Sequence, residues 1–402
     1  MRRITADNAR FGVFLAFLLI PLSGIGTDIY LPSMPSMAGS LATTPARIQL
    51  TLTMFVAGYG LGQLVIGVFL DRFGRWRPTL IALALFALSS VAIAMSDNIV
   101  WICLLRLLQG VLGAVAVVAK RTFFVDVFSG PALRRYLTWL TVVWSLGPIC
   151  APFLGGFIQV HWGWRASFLV LALFSVLALV LELIGGGETL AQPQALDVRE
   201  VIARARQILG HRAYQRGVLC ISAAYAMVMA WNMAAPFIVE DVFHHSPTTT
   251  GSLALLMGLA WMCGGLIARA LIAQPAWRKH QGGVMMMAVF IVLLALLPAH
   301  WQSLAALAVA AFAIHMAAGL VFNIHFADVL SMFPQSAALA GGIAGGIAFL
   351  ATSVLSSLSV NVVHPHSTAS MSLVYGLLAL ILLPAAVTLG RARAGQQARQ
   401  PS

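Results

Sequence analysis

The feature that most constrains this chain is a series of apolar runs, each close to 20 residues long and separated by short polar stretches. A helix of about 20 apolar residues is long enough to cross the hydrocarbon core of a bilayer. Of the 402 residues, 60% are hydrophobic and only 9% are charged, which excludes a soluble globular protein. The pattern therefore predicts an all-α polytopic membrane protein.

We expect twelve transmembrane helices in two six-helix bundles. The predicted domains are an N-terminal bundle at 1–186, a cytoplasmic linker at 187–216 with an amphipathic helix over Val198–Leu209, and a C-terminal bundle with a cytoplasmic tail at 217–402. The predicted spans are 11–33, 48–70, 79–96, 99–125, 137–160, 166–186, 217–240, 252–274, 282–299, 303–327, 338–362 and 370–390.

The distribution of basic residues orients these spans. By this placement 19 of the 24 Lys and Arg residues lie on one side of the membrane, three lie within the fourth span, and only Arg47 and Arg165 lie on the other side. Such a bias marks the cytoplasmic side, so both termini are predicted in the cytoplasm of a bacterial cell, with the protein in its inner membrane. The bias also accounts for the net charge of +12 without a nucleic-acid partner.

The turn between the second and third spans concentrates charge and glycine. It reads Gly67-Val-Phe-Leu-Asp71-Arg72-Phe-Gly74-Arg75-Trp76-Arg77-Pro78. Its glycines favour close helix approach and a sharp turn, while Asp71 is placed to bond arginines or a helix N-terminus. A basic loop that only sets topology needs neither the glycines nor the acid. We therefore expect a cytoplasmic gate that also includes Asp126, at the inner end of the fourth span. The gate residues are Gly67, Asp71, Arg72, Gly74, Arg75 and Asp126.

Two charged residues lie inside spans of the first half. Asp28 is in the first span and Arg106 in the fourth, at similar depth, and an intramembrane charge by default marks a transport or proton site. We expect an Asp28–Arg106 pair, direct or through water, that serves proton coupling. The alternatives are that Asp28 only caps the outer end of its helix and that Arg106 bonds backbone carbonyls.

Further polar residues within spans are candidates for the substrate cavity. The set is Tyr30, Gln109, Trp231, Asn232 and Asn323. Lys120 and Arg121 either extend to the inner surface or offer positive charge to an anionic substrate. His315 and His325 are either packing residues or transport residues. No phosphate-binding loop, metal-ligand cluster or nucleophile triad is apparent, so we expect no cofactor, no metal and no enzymatic activity.

The fifth span carries small residues and prolines in a regular pattern. These are Gly147, Ala151, Pro152, Gly155 and Gly156. The pattern predicts a kinked helix that its neighbours approach closely, and packing alone could explain it.

Together these motifs resemble the major facilitator superfamily. The 67–78 turn is similar to its G-x-x-x-D-R-x-G-R-[RK] motif, with Trp76 displacing the last basic residue to Arg77. The pattern in the fifth span resembles that of drug–proton antiporters, with Ala151 where Gly is usual. Asp28-Ile-Tyr-Leu-Pro32, Arg106-x-x-Gln109-Gly110 and Trp162-Gly-Trp164-Arg165 resemble the bicyclomycin and chloramphenicol exporter branch. The resemblance is dense over 24–168 and thin afterwards.

The resemblance implies a monomeric, proton-coupled secondary transporter that exports small amphipathic compounds, including antibiotics, by alternating access. Its partners would be a small-molecule substrate, protons and the lipid bilayer. One rival is a transporter of a defined metabolite such as a nucleoside, sugar or siderophore, possibly working as an importer. The other is a membrane sensor or scaffold that transports nothing.

Overall fold

The computed structural model describes residues 3–190, 192, 198–298, 301–333 and 336–384, and this part of the chain contains no β-strand. The helices are α1 (Arg10–Leu19), α2 (Leu22–Asp28), α3 (Met34–Ser40), α4 (Pro45–Phe73), α5 (Trp76–Ala94), α6 (Ile99–Val127), α7 (Gly130–Trp162), α8 (Trp164–Gly185), α9 (Val198–Gly210), α10 (Arg212–Phe237), α11 (Pro247–Ala270), α12 (Ala276–Ala295), α13 (Leu304–Ser331), α14 (Ala337–Val363) and α15 (Thr368–Leu380).

The order of the helices follows the predicted order of spans. Within the described residues, ten stretches are long and apolar enough to cross a membrane, the first of which joins α1, α2 and α3 over Arg10–Ser40. The helices α12 and α15 stand where the ninth and twelfth spans are predicted. The fifth span begins at Gly130 rather than at 137, and the end of the predicted twelfth span lies outside the described residues.

The helices pack as two bundles whose most extensive contacts with each other are along two pairs of helices. In the first half α6 packs against α4 and α5, and α5 also packs against α8. In the second half α13 packs against α10, α11 and α12, and α10 also packs against α14. The halves meet where α4 contacts α14 and where α7 contacts α11. The predicted fold class, an all-α membrane protein of two helical bundles, is confirmed.

Small residues allow these helices to approach closely. Gly58 of α4 lies directly against the backbone carbonyl of Leu107 in α6, where a Cβ would overlap the oxygen. At the contact between the halves, Gly60 of α4 lies against the backbone of Gly346 in α14 in the same way. Without a hydrophobic difference between lipid and side chain, such backbone proximity is a main source of packing energy in a membrane.

The helix α9 lies in the predicted linker, at Val198–Gly210. Residues 191 and 193–197 of that linker lie outside the described part of the chain. His211 follows, and its Nδ1 accepts the backbone N–H of Tyr214, which caps the start of α10. The domain limits at 186 and 217 stay a prediction.

Candidate functional site

Asp28 is buried at the contact between the two halves of the molecule. It is the last residue of α2, which ends before a 3-10 turn over Leu31–Ser33 that contains Pro32. Its side chain is 3% exposed, and its Oδ1 accepts a hydrogen bond of 3.2 Å from Nδ2 of Asn232 in α10. The sequence predicted both residues for the site, and the structure brings them together across the two bundles.

Arg106 is fully buried and packs against aromatic rings. Its guanidinium carbon lies 4.3 Å from the ring centroid of Phe55, 4.6 Å from that of Tyr30 and 5.8 Å from that of Phe168. Its Nη1 donates a hydrogen bond of 2.9 Å to Oε1 of Gln109. Cation–π contacts of this kind are strongest where the cation is shielded from water, as here.

The sequence predicts an Asp28–Arg106 pair, direct or through water, and the direct form is not present. Among the described residues, no carboxylate lies within 4.0 Å of the Arg106 side chain, although the charge of Asp28 is within electrostatic range. Equal depth in the membrane does not fix the direction in which a side chain points around its helix. Asp28 points toward α10, whereas Arg106 points toward rings of its own bundle.

Two adjoining cavities lie beside Asp28. The larger holds about 530 Å³ of space outside the atoms, and the smaller about 310 Å³. Both are lined by Trp144, Pro148 and Tyr225. The larger also contains Asp28, Asn232 and Trp261 in its wall, and its lining comes from both halves of the molecule. An apolar, aromatic space with few polar groups is typical of sites for small amphipathic ligands.

The other residues predicted for the cavity do not line these two spaces. The Tyr30 hydroxyl lies 2.9 Å from Oγ1 of Thr51, and Gln109 donates through Nε2 to Oγ of Ser90 at 2.8 Å. Trp231 is 1% exposed, and Nδ2 of Asn323 donates to the carbonyl of Gly319 in its own helix. Tyr30 and Gln109 contact Arg106 and hold it in place, rather than lining a cavity.

The turn between α4 and α5 forms a network with the end of α6. Oδ1 of Asp71 lies 2.7 Å from Nη2 of Arg75, and Nε of Arg75 donates to Oδ2 of Asp126 at 3.1 Å. Gly74 has a φ of +87°, which favours glycine at this position. Arg72 is exposed and stacks on the Phe73 ring, with its guanidinium carbon 5.7 Å from the ring centroid.

One glycine of this turn does not have the role that the sequence suggested. A Cβ on Gly67 would meet no heavy atom within 4 Å, so no neighbouring helix approaches closely there. The expected tight packing at Gly67 is therefore absent from the structure.

Three residues of this network were missed from the sequence. The carboxylate of Glu188, just after α8, accepts the backbone N–H groups of Arg75 and Trp76 at 2.9 to 3.2 Å, at the start of α5. Thr189 donates through Oγ1 to Oδ2 of Asp126 at 2.9 Å. Glu182, buried in α8, forms an ion pair with Lys120. The two glutamates could have been found from the sequence by the rarity of acidic residues, since the chain has only 12 Asp and Glu.

The small residues of α7 lie where that helix touches its neighbours. Gly155 packs directly on the carbonyl oxygen of Ile29, the residue after Asp28. Gly156 packs on the backbone of Pro247 in α11, and Gly147 on the carbonyl of Pro21. Ala151 is 2% exposed, and Pro148 and Pro152 lie inside the helix. This motif therefore positions the segment that carries Asp28 and also joins the two halves.

The histidines of the second half are hydrogen-bonded. Nε2 of His325 lies 2.8 Å from Nδ1 of His280, and Nδ1 of His315 lies 2.8 Å from the carbonyl of Ala311. These contacts hold α12 to α13 and anchor His315 on its own helix.

Comparisons with known proteins show what the whole chain is similar to. The chain is 34% identical over 188 residues to a bicyclomycin resistance protein homolog of Haemophilus influenzae, covering 46% of this chain and 47% of that protein. It is 23% identical over 383 residues to multidrug resistance protein D of Escherichia coli, covering 92% of this chain and 93% of that protein. The resemblance to this exporter branch is confirmed.

A solved structure shares the fold. The crystal structure of a D-xylose-proton symporter superposes with a TM-score of 0.73 at 15% sequence identity, covering 95% of this chain and 97% of that one. At this level of identity the likeness concerns the fold alone.

The family model of the Major Facilitator Superfamily matches residues 16–356, which is most of the chain and includes Asp28, Arg106 and Asn232. The expectation of a multi-pass membrane transporter rather than an enzyme is confirmed. The chain belongs to the Major Facilitator Superfamily.

Proposed function

We propose that this protein exports small amphipathic compounds across the bacterial inner membrane in exchange for protons, working as a monomer with both termini in the cytoplasm. The observation that carries the proposal is the buried Asp28–Asn232 hydrogen bond beside an aromatic cavity at the contact of the two bundles. The names of the relatives, which concern bicyclomycin and multidrug resistance, support export as the direction. The proposed domain limits are those of the predicted linker at 187–216.

The proton would act through Asp28. A charged carboxylate in a membrane-embedded site needs polar partners, and here these are the amide of Asn232 and the field of Arg106. A proton on Asp28 removes the charge and with it the need for those partners. Because Asn232 belongs to the other bundle, the charge state of Asp28 sets how strongly the two bundles hold together at this point.

The network around Arg75 would act as the cytoplasmic gate. It ties the α4–α5 turn to the end of α6 through Asp126, at the end of the molecule that the arginine bias assigns to the cytoplasm. Further along α4, Gly60 packs on the backbone of Gly346 in α14, between the two halves. Opening of the cavity to the cytoplasm requires these contacts to separate, which is an alternating-access step.

Two rivals have less support. Three of the groups that favoured a metabolite transporter are engaged elsewhere: Lys120 with Glu182, Asn323 with Gly319, and His325 with His280. A sensor or scaffold that transports nothing does not need a buried carboxylate beside an aromatic cavity.

Proton flux tests the proposal. Inverted membrane vesicles with an acidified lumen should release protons when chloramphenicol is added, and the Asp28→Asn variant should show no such release. Asp97→Asn is the matched control, because Asp97 is an exposed carboxylate that pairs with Arg165 at the other end of the molecule. Release that persists in Asp28→Asn would remove Asp28 from the coupling. Proton release that one metabolite causes, and that no drug causes, would favour the metabolite transporter.

A further inference from the structure

Two adjacent basic residues of α6 have different surroundings. Lys120 is buried and forms an ion pair with Glu182 of α8. Successive residues of a helix are rotated by about 100°, so Arg121 faces elsewhere, and its side chain is exposed. Both residues lie about two turns before α6 ends at Val127. The two neighbouring charges therefore lie in different surroundings, Lys120 in a buried ion pair and Arg121 exposed.

Arg121 lies on a face of α6 that packs against residues lining the smaller cavity. Ala114 and Val117, which precede it by seven and four residues on the same face, cluster with Tyr59 of α4 and Phe349 of α14. Tyr59 and Phe349 line the smaller cavity, and Arg121 is within electrostatic range of the Tyr59 hydroxyl. Arg121 thus lies next to the smaller cavity, on the side that the arginine bias assigns to the cytoplasm.

Within the part of the chain that the structure describes, the charge of Arg121 has no counter-charge in contact. Among the described residues, no carboxylate lies within 4.0 Å of its guanidinium. The two acids nearest to it along α6 and across to α8 are engaged, Asp126 by Arg75 and Thr189, and Glu182 by Lys120. An exposed guanidinium beside an aromatic cavity is suited to bind an anionic group in a bidentate manner.

We propose that Arg121 is a specificity-determining residue that binds the anionic group of an exported amphipathic compound as that compound enters the cavity from the cytoplasm. This proposal rests on the proposed export function and names its substrate class. The apolar part of such a compound would lie against Tyr59 and Phe349, and further in against Trp144 and Tyr225. A compound with an aromatic body and a carboxylate or similar anion could place its rings against these aromatic side chains and its anion on Arg121.

Binding of a matched pair of probes tests the proposal. Dansylglycine and its methyl ester share one aromatic body and differ in one negative charge, and dansyl fluorescence reports binding to the purified full-length protein. The wild type should bind the acid about tenfold more tightly than the ester. Arg121→Gln should abolish that preference by weakening the acid alone, whereas Arg121→Lys should retain most of it.

Arg212→Gln is the control for a general loss of positive charge. Arg212 is exposed at the start of α10, at the same membrane face, and lines neither cavity. The proposal is overturned if the wild type does not prefer the acid, if Arg121→Gln weakens both probes by one factor, or if Arg212→Gln has the same effect. Proton release by the wild type on addition of chloramphenicol or of dansylglycine separates the two failures. Release with either compound but without a role for Arg121 leaves export intact, and absence of release with both compounds removes the export function itself.

Discussion

Both carboxylate oxygens of Glu188 accept the backbone N–H of Arg75, at 2.9 and 3.1 Å. The carbonyl of Glu188 also accepts the backbone N–H of Ile4 at 2.9 Å. Glu188, a single residue that follows the sixth span, thus holds the N-terminal segment and the α4–α5 turn together. A carboxylate at a helix N-terminus is stabilised by the unpaired N–H groups and by the helix dipole, and here the helix is α5.

Loss of this carboxylate charge should weaken the gate network. Glu188→Gln replaces charge-assisted hydrogen bonds by neutral ones, and we expect a loss of about 1–2 kcal/mol in stability. The melting temperature of the purified protein measures the loss. Glu200→Gln is the control, because Glu200 is exposed and its pair with Arg204 is of a kind worth about 0.5 kcal/mol or less. Equal melting temperatures for the wild type and Glu188→Gln would contradict this prediction.

The Lys120–Glu182 pair should be strongly coupled. Its side chains are 9% and 0% exposed, so removal of one partner leaves a charge buried without compensation. Lys120→Met alone should cost about 3–5 kcal/mol, and the double variant with Glu182→Met should recover most of that loss. Thermal unfolding of the two single variants and the double variant completes the cycle. A double variant as unstable as the sum of the singles would show that the pair does not interact.

The hydrogen bond between Asn232 and Asp28 should matter for transport. Asn232→Leu removes the amide that crosses between the bundles, and we expect transport to fall about tenfold, as for a hydrogen bond to a charged group. Initial rates of drug uptake into inverted vesicles measure this. Asn361→Leu should have little effect, because the partner of the Asn361 amide within the described residues is Ser357 of its own helix. Unchanged uptake by Asn232→Leu would contradict a coupling role for this contact.

Substitution by alanine should have opposite effects on transport at two glycines of the family motifs. Gly155→Ala places a Cβ on the carbonyl oxygen of Ile29, a backbone atom that cannot move alone, so the segment carrying Asp28 must shift. Gly67→Ala meets open space in the interior of α4, where alanine is favoured by up to about 1 kcal/mol over glycine. We expect Gly155→Ala to lose transport and Gly67→Ala to retain it. Resistance conferred on a susceptible host, with protein amounts compared by immunoblot, separates the two outcomes.

The fold and its family were within reach of the sequence. Apolar length, arginine bias and the 67–78 turn act locally, because each depends on residues close together in the chain and on a bilayer of fixed thickness. The same local signals identified Asp28, Arg106, Arg75 and Asp126 as candidates, since a charge in an apolar run stands out wherever it lies. The sequence therefore predicted which residues belong to the candidate site but not which of them contact each other.

The contacts themselves were decided by the tertiary structure. Hydropathy gives the depth of a residue in the membrane but not the rotation of its helix, and rotation selects the partner. This is why Arg106 packs on Tyr30 and Phe55 rather than on Asp28. It is also why Lys120 meets Glu182 while Arg121, the next residue, is exposed. The sequence by itself determined that this is a membrane transporter of twelve predicted spans, and only the packing of distant helices decided which charges are paired and which can meet a substrate.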